Sequence, residues 1–249
     1  MELGIAGRAA IVTGASRGLG RAIALGLAAE GAHVLAAARS TNDLSELTEQ
    51  SDGAIVPVTC DMAATDEVTA LVPRTLAEFG RLDIIVNNAG VAPASAFDQM
   101  ALDVWRDVFD VNVLAPVALI QAALPQLRAQ RSGKIINIGS LSSLRGKPLL
   151  AAYSASKGAL LRLTEALAGE IAKDGIQVNL VAPGGFATEA QRRVLDDPEM
   201  LTRRIRKIPS GRMGNPEEIV ALVNYLASPL SDFVTGSTFT IDGGEFAKL

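Results

Sequence analysis

Short apolar runs rich in β-branched residues recur along the chain at Ala9 to Val12, His33 to Ala37, Ala54 to Thr59, Ile84 to Val86, Ile135 to Ile138, Gln177 to Val181 and Thr238 to Ile241. Runs of this kind predict strands. Between them, apolar residues at the helical period predict helices over Leu19 to Glu30, Leu44 to Gln50, Asp66 to Phe79, Leu102 to Arg131, Tyr153 to Ala172 and Pro216 to Ala227. Strand and helix alternate almost without a break, which predicts the α/β class: a single doubly wound parallel sheet of about seven strands with helices on both faces. Ligands then belong at the carboxyl ends of the strands. No linker, repeat or low-complexity stretch interrupts the pattern, so residues 1–249 read as one domain. The segment from Gly184 to Gly214 breaks the rhythm, with several Arg and no strand. Directly after the sixth strand, residues 185–214 are placed to form a substrate lid.

Composition narrows the classes. No apolar run reaches the roughly 18 residues of a membrane-spanning helix, so a soluble protein without a membrane partner is expected. A net charge of -4 argues against nucleic acid as a partner, because phosphate backbones are held by clustered Lys and Arg. Cys60 is the only cysteine, which excludes an intramolecular disulfide and a thiolate-rich metal site; no metal is expected, and a reducing, cytoplasmic setting fits. Met1 to Arg8 has no basic region followed by a cleavable apolar stretch. The ending Ala247-Lys248-Leu249 is similar to a peroxisomal address, a match too short to outweigh the rest. His33 is the only histidine and reads as a surface or strand-edge residue, so acid-base chemistry falls to Tyr, Lys or a carboxylate.

Three segments carry that chemistry. Thr13 to Gly20, T-G-A-S-R-G-L-G, lies between the first strand and the next helix, where Gly14, Gly18 and Gly20 allow a tight turn and close approach of a pyrophosphate to unpaired amides. The second strand ends Ala36-Ala37-Ala38-Arg39 without the acid that would hold a free ribose hydroxyl; Arg39 with Arg17 suits a 2'-phosphate, which points to NADP(H). In Tyr153-Ser-Ala-Ser-Lys157, helical spacing puts the ammonium on the same face as the phenol, where it would favour the phenolate. Ser140, at the end of the fifth strand, can donate to a carbonyl oxygen.

With Asp61, Asn87-Asn88-Ala89-Gly90, Asn112, Pro183-Gly184, Thr188 and Asp242-Gly243-Gly244, these segments make the chain resemble the short-chain dehydrogenase/reductases, whose fold is Rossmann-like. The resemblance implies a catalytic tetrad of Asn112, Ser140, Tyr153 and Lys157, with Asn112 holding a water that relays protons to Lys157. It implies cofactor contacts from Gly14, Ser16, Arg17, Gly18, Leu19 and Gly20 in the turn, and from Arg39, Asp61 and Met62 at the adenosine end. Asn88, Gly90, Tyr153, Lys157, Pro183, Gly184 and Phe186 would border the cofactor, and Thr188 would help to hold its nicotinamide end. Within the family the likeness is greatest to 3-oxoacyl-(acyl carrier protein) reductases, through Ala182-Pro-Gly and Gly211 to Ile219. Arg128 and Arg131 would then supply basic residues near the mouth, although Asp174 stands where a second one is often found. Gly185 replaces an apolar residue and would widen the substrate pocket. The expected activity is interconversion of a ketone and a secondary alcohol on a small molecule, by a homotetramer. A sugar, steroid or aryl ketone is the alternative substrate, and a non-catalytic cofactor-binding regulator the alternative role.

Overall fold

The computed structural model describes residues 2–51 and 53–248; Leu249, and with it the complete C-terminal tripeptide, lies outside the described residues. Seven parallel strands form one sheet: β1 (Ala9–Thr13), β2 (His33–Ala38), β3 (Ile55–Thr59), β4 (Ile84–Asn87), β5 (Gly133–Ile138), β6 (Ile176–Pro183) and β7 (Thr238–Ile241), in the order β3-β2-β1-β4-β5-β6-β7. The direction of winding reverses between β1 and β4, and a crevice opens beyond their carboxyl ends.

Residue parity along the strands explains the layers. Ala10 and Val12, Val34 and Ala36, and Ile136 and Ile138 face one side. There they meet Ile23 and Leu27 of α1 (Gly18–Ala29), Leu44 and Leu47 of α2 (Thr41–Glu49), and Val223 and Leu226 of the helix that closes this layer (Val220–Ala227). Ile11, Leu35, Ile85 and Ile135 face the other side, against Val68 and Leu71 of α3 (Thr65–Phe79) and Leu119, Ala123 and Leu127 of the Ala115–Gln130 helix. Both faces are covered, so the central strands are buried throughout rather than alternating, and mostly apolar. The edge strand β3 alternates, and it carries a proline, Pro57, at its middle. His33 opens β2 and stacks on Phe79, with ring centroids 5.4 Å apart.

The predicted helix Leu102 to Arg131 is continuous but not uniform. It divides into α4 (Leu102–Phe109), a π-helical turn over Asp110–Leu114, and α5 (Ala115–Gln130). A π turn adds a residue without ending the helix, so the apolar period alone does not reveal it. Taken together, Leu102–Gln130 is long and apolar enough by length and composition to cross a bilayer, a property that core helices share. Its inner face is nevertheless spent on α3 and the sheet. The next helices are α6 (Ala151–Ile171), α7 (Arg192–Leu195), α8 (Pro198–Ile205) and α9, the Val220–Ala227 helix already placed. A buried polar chain ties α6 to the sheet. Asn87 Nδ2 donates to Asn137 Oδ1 at 2.8 Å, Asn137 Nδ2 to Thr164 Oγ1 at 2.9 Å, and Thr164 Oγ1 to the Leu160 carbonyl at 2.8 Å.

Candidate active site

A cleft of about 650 Å³ runs along the carboxyl ends of the strands. Every residue expected to touch a cofactor lines it, from Gly14, Ser16, Arg17, Gly18, Leu19 and Gly20 at the turn after β1 to Pro183, Gly184, Phe186 and Thr188 after β6. Arg39, Asp61 and Met62 lie at one end, and Asn88, Gly90, Ser140, Tyr153 and Lys157 towards the other. Asn112 stands behind the wall, fully buried.

The turn is built without room for side chains. A Cβ on Gly20 would fall 2.2 Å from the Gly14 carbonyl oxygen, and Gly14 itself has φ 64° with the Ala89 backbone 2.8 Å from where its Cβ would be. Asn88 braces the turn, Nδ2 donating to the carbonyls of Thr13 at 3.0 Å and Gly14 at 3.1 Å. Thr13 Oγ1 in return accepts from the amides of Asn88 and Ala89. Arg17, at the N-cap of α1, makes no side-chain cap, so the first amides of the helix face the cleft without a side-chain partner. Across the cleft Thr188 rests against Gly18. Arg17 and Arg39 are exposed, and among the described residues neither forms an ion pair. Asp43, in the first turn of α2, also lines this end and was not singled out from sequence.

At the other end, Ser140 caps a short turn over Leu141–Ser143, its Oγ accepting from the Ser142 amide at 3.1 Å, and its side chain lies close enough to the Tyr153 hydroxyl to act on it. Burial pushes the Tyr153 phenol above its ordinary value, and Ser140 opposes part of that rise. Lys157 is buried, 6.0 Å from the Tyr153 ring centroid, with Nζ donating to the Ile138 carbonyl at 2.7 Å. Burial lowers it from 10.5 to about 8. For both groups burial disfavours the charged form.

Asn112 owes its position to the π turn, which swings the carboxamide between the loop after β4 and α6. Its Oδ1 accepts from the Val91 amide at 2.9 Å, and Nδ2 donates to the Val91 carbonyl at 3.0 Å and Ser156 Oγ at 2.9 Å. Both amide hydrogens are thus used by the protein, leaving one lone pair of Oδ1. Val91, Ser156 and the Ile138 carbonyl escaped sequence reasoning because their contribution is one of placement or of backbone groups.

Two expectations are revised. Arg128 and Arg131 close α5 and precede β5, so they lie at the end of the sheet opposite the cleft; Arg128 Nε pairs with Asp174 at 2.8 Å and Arg131 Nη2 donates to the Lys173 carbonyl at 2.9 Å. Gly185 does not open a space, because the Arg204 guanidinium occupies it. The 185–214 segment leaves and rejoins the sheet at one place, where the Ala187 amide donates to the Gly214 carbonyl at 2.8 Å and the Gly214 amide to the Gly185 carbonyl at 2.9 Å.

A Gly-rich turn at the switch point, with Ser140 after β5 and Tyr153 and Lys157 on α6 along the same cleft, defines an oxidoreductase on a doubly wound sheet. The sequence signature of the family described as "Enoyl-(Acyl carrier protein) reductase" matches residues 14–245. A 3-oxoacyl-[acyl-carrier-protein] reductase of Synechocystis sp. is 38% identical over 240 residues, 94% of this chain and 95% of that protein. A 2-dehydro-3-deoxy-D-gluconate 5-dehydrogenase of Escherichia coli is 36% identical over 245 residues, 97% and 96% of the two. The crystal structure of a gluconate 5-dehydrogenase from Burkholderia cenocepacia, in complex with NADP and tartrate, superposes with a TM-score of 0.93 at 35% identity, covering 100% of this chain and 98% of that one. The chain belongs to the short-chain dehydrogenase/reductase family.

Proposed function

We propose that this protein is an NADP(H)-dependent oxidoreductase that interconverts a ketone and a secondary alcohol, with Tyr153 as general acid and base. The observation that carries the reading is the joining of the Ser140-Tyr153-Lys157 group to the Gly-rich turn in one cleft. The residues present fit the cofactor. The turn from Gly14 to Gly20 and the open amides of α1 would hold the pyrophosphate, Arg17 and Arg39 the 2'-phosphate, and Asp61 and Met62 the adenine. Asn88, Gly90, Pro183, Gly184, Phe186 and Thr188 would flank the nicotinamide half, with Lys157 and Tyr153 at its ribose. When bound, the nicotinamide supplies or accepts the hydride.

The chain's own residues manage the oxygen and its proton. Ser140 donates to the carbonyl oxygen, and Tyr153 passes its phenolic proton to the same oxygen as negative charge builds there. Lys157, near 8, can hold or release a proton at working pH and resupplies Tyr153. Asn112 keeps that route aligned by clamping Val91 and Ser156. The 185–214 segment acts as the substrate lid, and the assembly is a homotetramer in a cytoplasmic setting. The candidate substrates are 3-oxoacyl thioesters, as for the Synechocystis relative, and sugar, steroid or aryl ketones.

The test is a panel of β-ketoacyl thioesters, cyclic and aryl ketones and sugar alcohols, assayed with both nicotinamide cofactors at matched concentrations. Turnover that prefers NADP(H) is expected. A correctly folded protein without turnover on any member, or one that prefers NAD(H), overturns the reading.

A further inference from the structure

The segments that follow β5 and β6 both enter the cleft that holds Tyr153, through Gly139 and Ser140 and through Gly184 and Phe186, and both carry, further along, cations that the acid-base group does not use. On one side Gly185 sits between the cleft residues Gly184 and Phe186. The Arg204 guanidinium of α8 lies so close that a Cβ at position 185 would fall 2.4 Å from Nη2 and 2.8 Å from Cζ. Only glycine admits it. Glu245, beyond β7, accepts from Arg204 Nη1 at 2.8 Å and from Nη2 at 2.6 Å, and the two side chains are only 19% and 12% exposed. This grip orients the guanidinium while leaving three of its five N–H donors free of Glu245.

On the other side, the Lys147 amide donates to Ser154 Oγ at 3.2 Å, one residue from Tyr153. Its ammonium is near enough to Arg204, Glu245, Lys207 and Arg145 for each to act on its charge. Arg145 also lies over the Phe246 ring, 5.5 Å from the centroid. Four cations, Arg204, Lys147, Lys207 and Arg145, therefore gather about Glu245, while the nearby Asp242 carboxylate is taken up by the amides of Gly244 and Phe246. Lys147 is exposed along its length, yet its ammonium is held below its ordinary value by partial desolvation and by Arg204, Lys207 and Arg145 against the opposing Glu245, so a bound anion would relieve it. The other reacting groups, Ser140 and Tyr153, are neutral and need no such excess, and Arg204 is too enclosed to meet the surface of a protein partner.

Resting on the ketone and alcohol reading of the site, we infer that the substrate bears a carboxylate, as a small oxo or hydroxy acid, and that Arg204, seated on Gly185 and oriented by Glu245, binds that carboxylate together with Lys147. The same cluster would disfavour neutral ketones of equal size, since they leave the cations without a partner.

Calorimetric titration of the NADP⁺-loaded protein with D-gluconate against D-sorbitol, and with acetoacetate against acetoacetamide, tests this without needing turnover. At least one acid should bind about 10-fold or more tightly than its neutral counterpart. Lys147→Gln should remove about 10- to 100-fold of the acid's affinity, the usual worth of a hydrogen bond to a charged group, and leave the neutral ligand unchanged. The paired variant Arg204→Gln/Glu245→Gln should do the same without stranding a buried carboxylate. Equal binding of acid and neutral ligand in both pairs, or an acid preference that survives in both variants, overturns the inference. NADPH oxidation with the neutral ketone ethyl acetoacetate and with 5-oxo-D-gluconate reports the reaction separately. Turnover without acid preference rejects the carboxylate site alone, and acid preference without turnover on either rejects the reaction alone.

Discussion

Replacing Lys157 by Met should stabilise the cofactor-free protein at neutral pH while removing its activity. The ammonium is buried, and the drop from 10.5 to about 8 represents about 3 kcal/mol of disfavoured charge at pH 7. Methionine fills a similar volume without that charge. It strands the Ile138 carbonyl, which costs about 1–2 kcal/mol, so the net gain is about 1–2 kcal/mol, or roughly 2–8 °C in melting temperature. The sign with pH is fixed. Because Lys157 titrates lower in the folded chain, the unfolded chain binds more protons between about pH 8 and 10.5, and wild-type stability rises with pH across that window. At pH 10 the penalty has fallen to about 1 kcal/mol, and the advantage of the variant disappears. Urea unfolding of both proteins at pH 7 and pH 10, at one protein concentration, measures this. A stability difference identical at the two pH values would refute the claim that Lys157 is held below its ordinary range.

Tyr153→Phe removes one hydroxyl from a half-buried ring; NADP(H) affinity by fluorescence titration should be nearly unchanged while turnover falls about 10²- to 10⁴-fold, and near-normal turnover would sink the proton-transfer role. Arg39→Asp exchanges attraction for repulsion at the 2'-phosphate, so the ratio of kcat/KM for NADP(H) over NAD(H) should fall below one or close to it. Light scattering at micromolar concentration should give a tetramer; a monomer mass contradicts the proposed assembly.

The sheet was legible because strands buried on both faces read as unbroken apolar runs, and all seven were placed with shifts of a residue or two at their ends. The cleft followed, since Gly14 to Gly20, Ser140 and Tyr153 must all reach the carboxyl edge of one parallel sheet. What stayed hidden depends on contacts between distant segments. Nothing in Val111 to Leu114 announces a π turn, because the extra residue is stabilised by Val91 and Ser156 far along the chain. Gly185 read as an opening because its neighbour in space, Arg204, is 19 positions away on another helix. The direction of the Tyr153 and Lys157 shifts was hidden for a related reason: spacing on a helix gives proximity, whereas desolvation is set by everything packed around it.

The polar chain from Asn87 through Asn137 to Thr164 acts as a ruler. A one-residue slip of α6 against β5 would rotate the helix by about 100° and carry Tyr153 away from Ser140. Apolar packing by Leu, Ala and Ile tolerates such slips far better than a row of directional bonds, each of which would be left unmade in the interior. An apolar replacement at Asn137 could therefore yield a core of equal strength that no longer knows where its helix belongs. In this fold the accuracy of the reacting end is held from about three helical turns away, by groups that never approach the substrate.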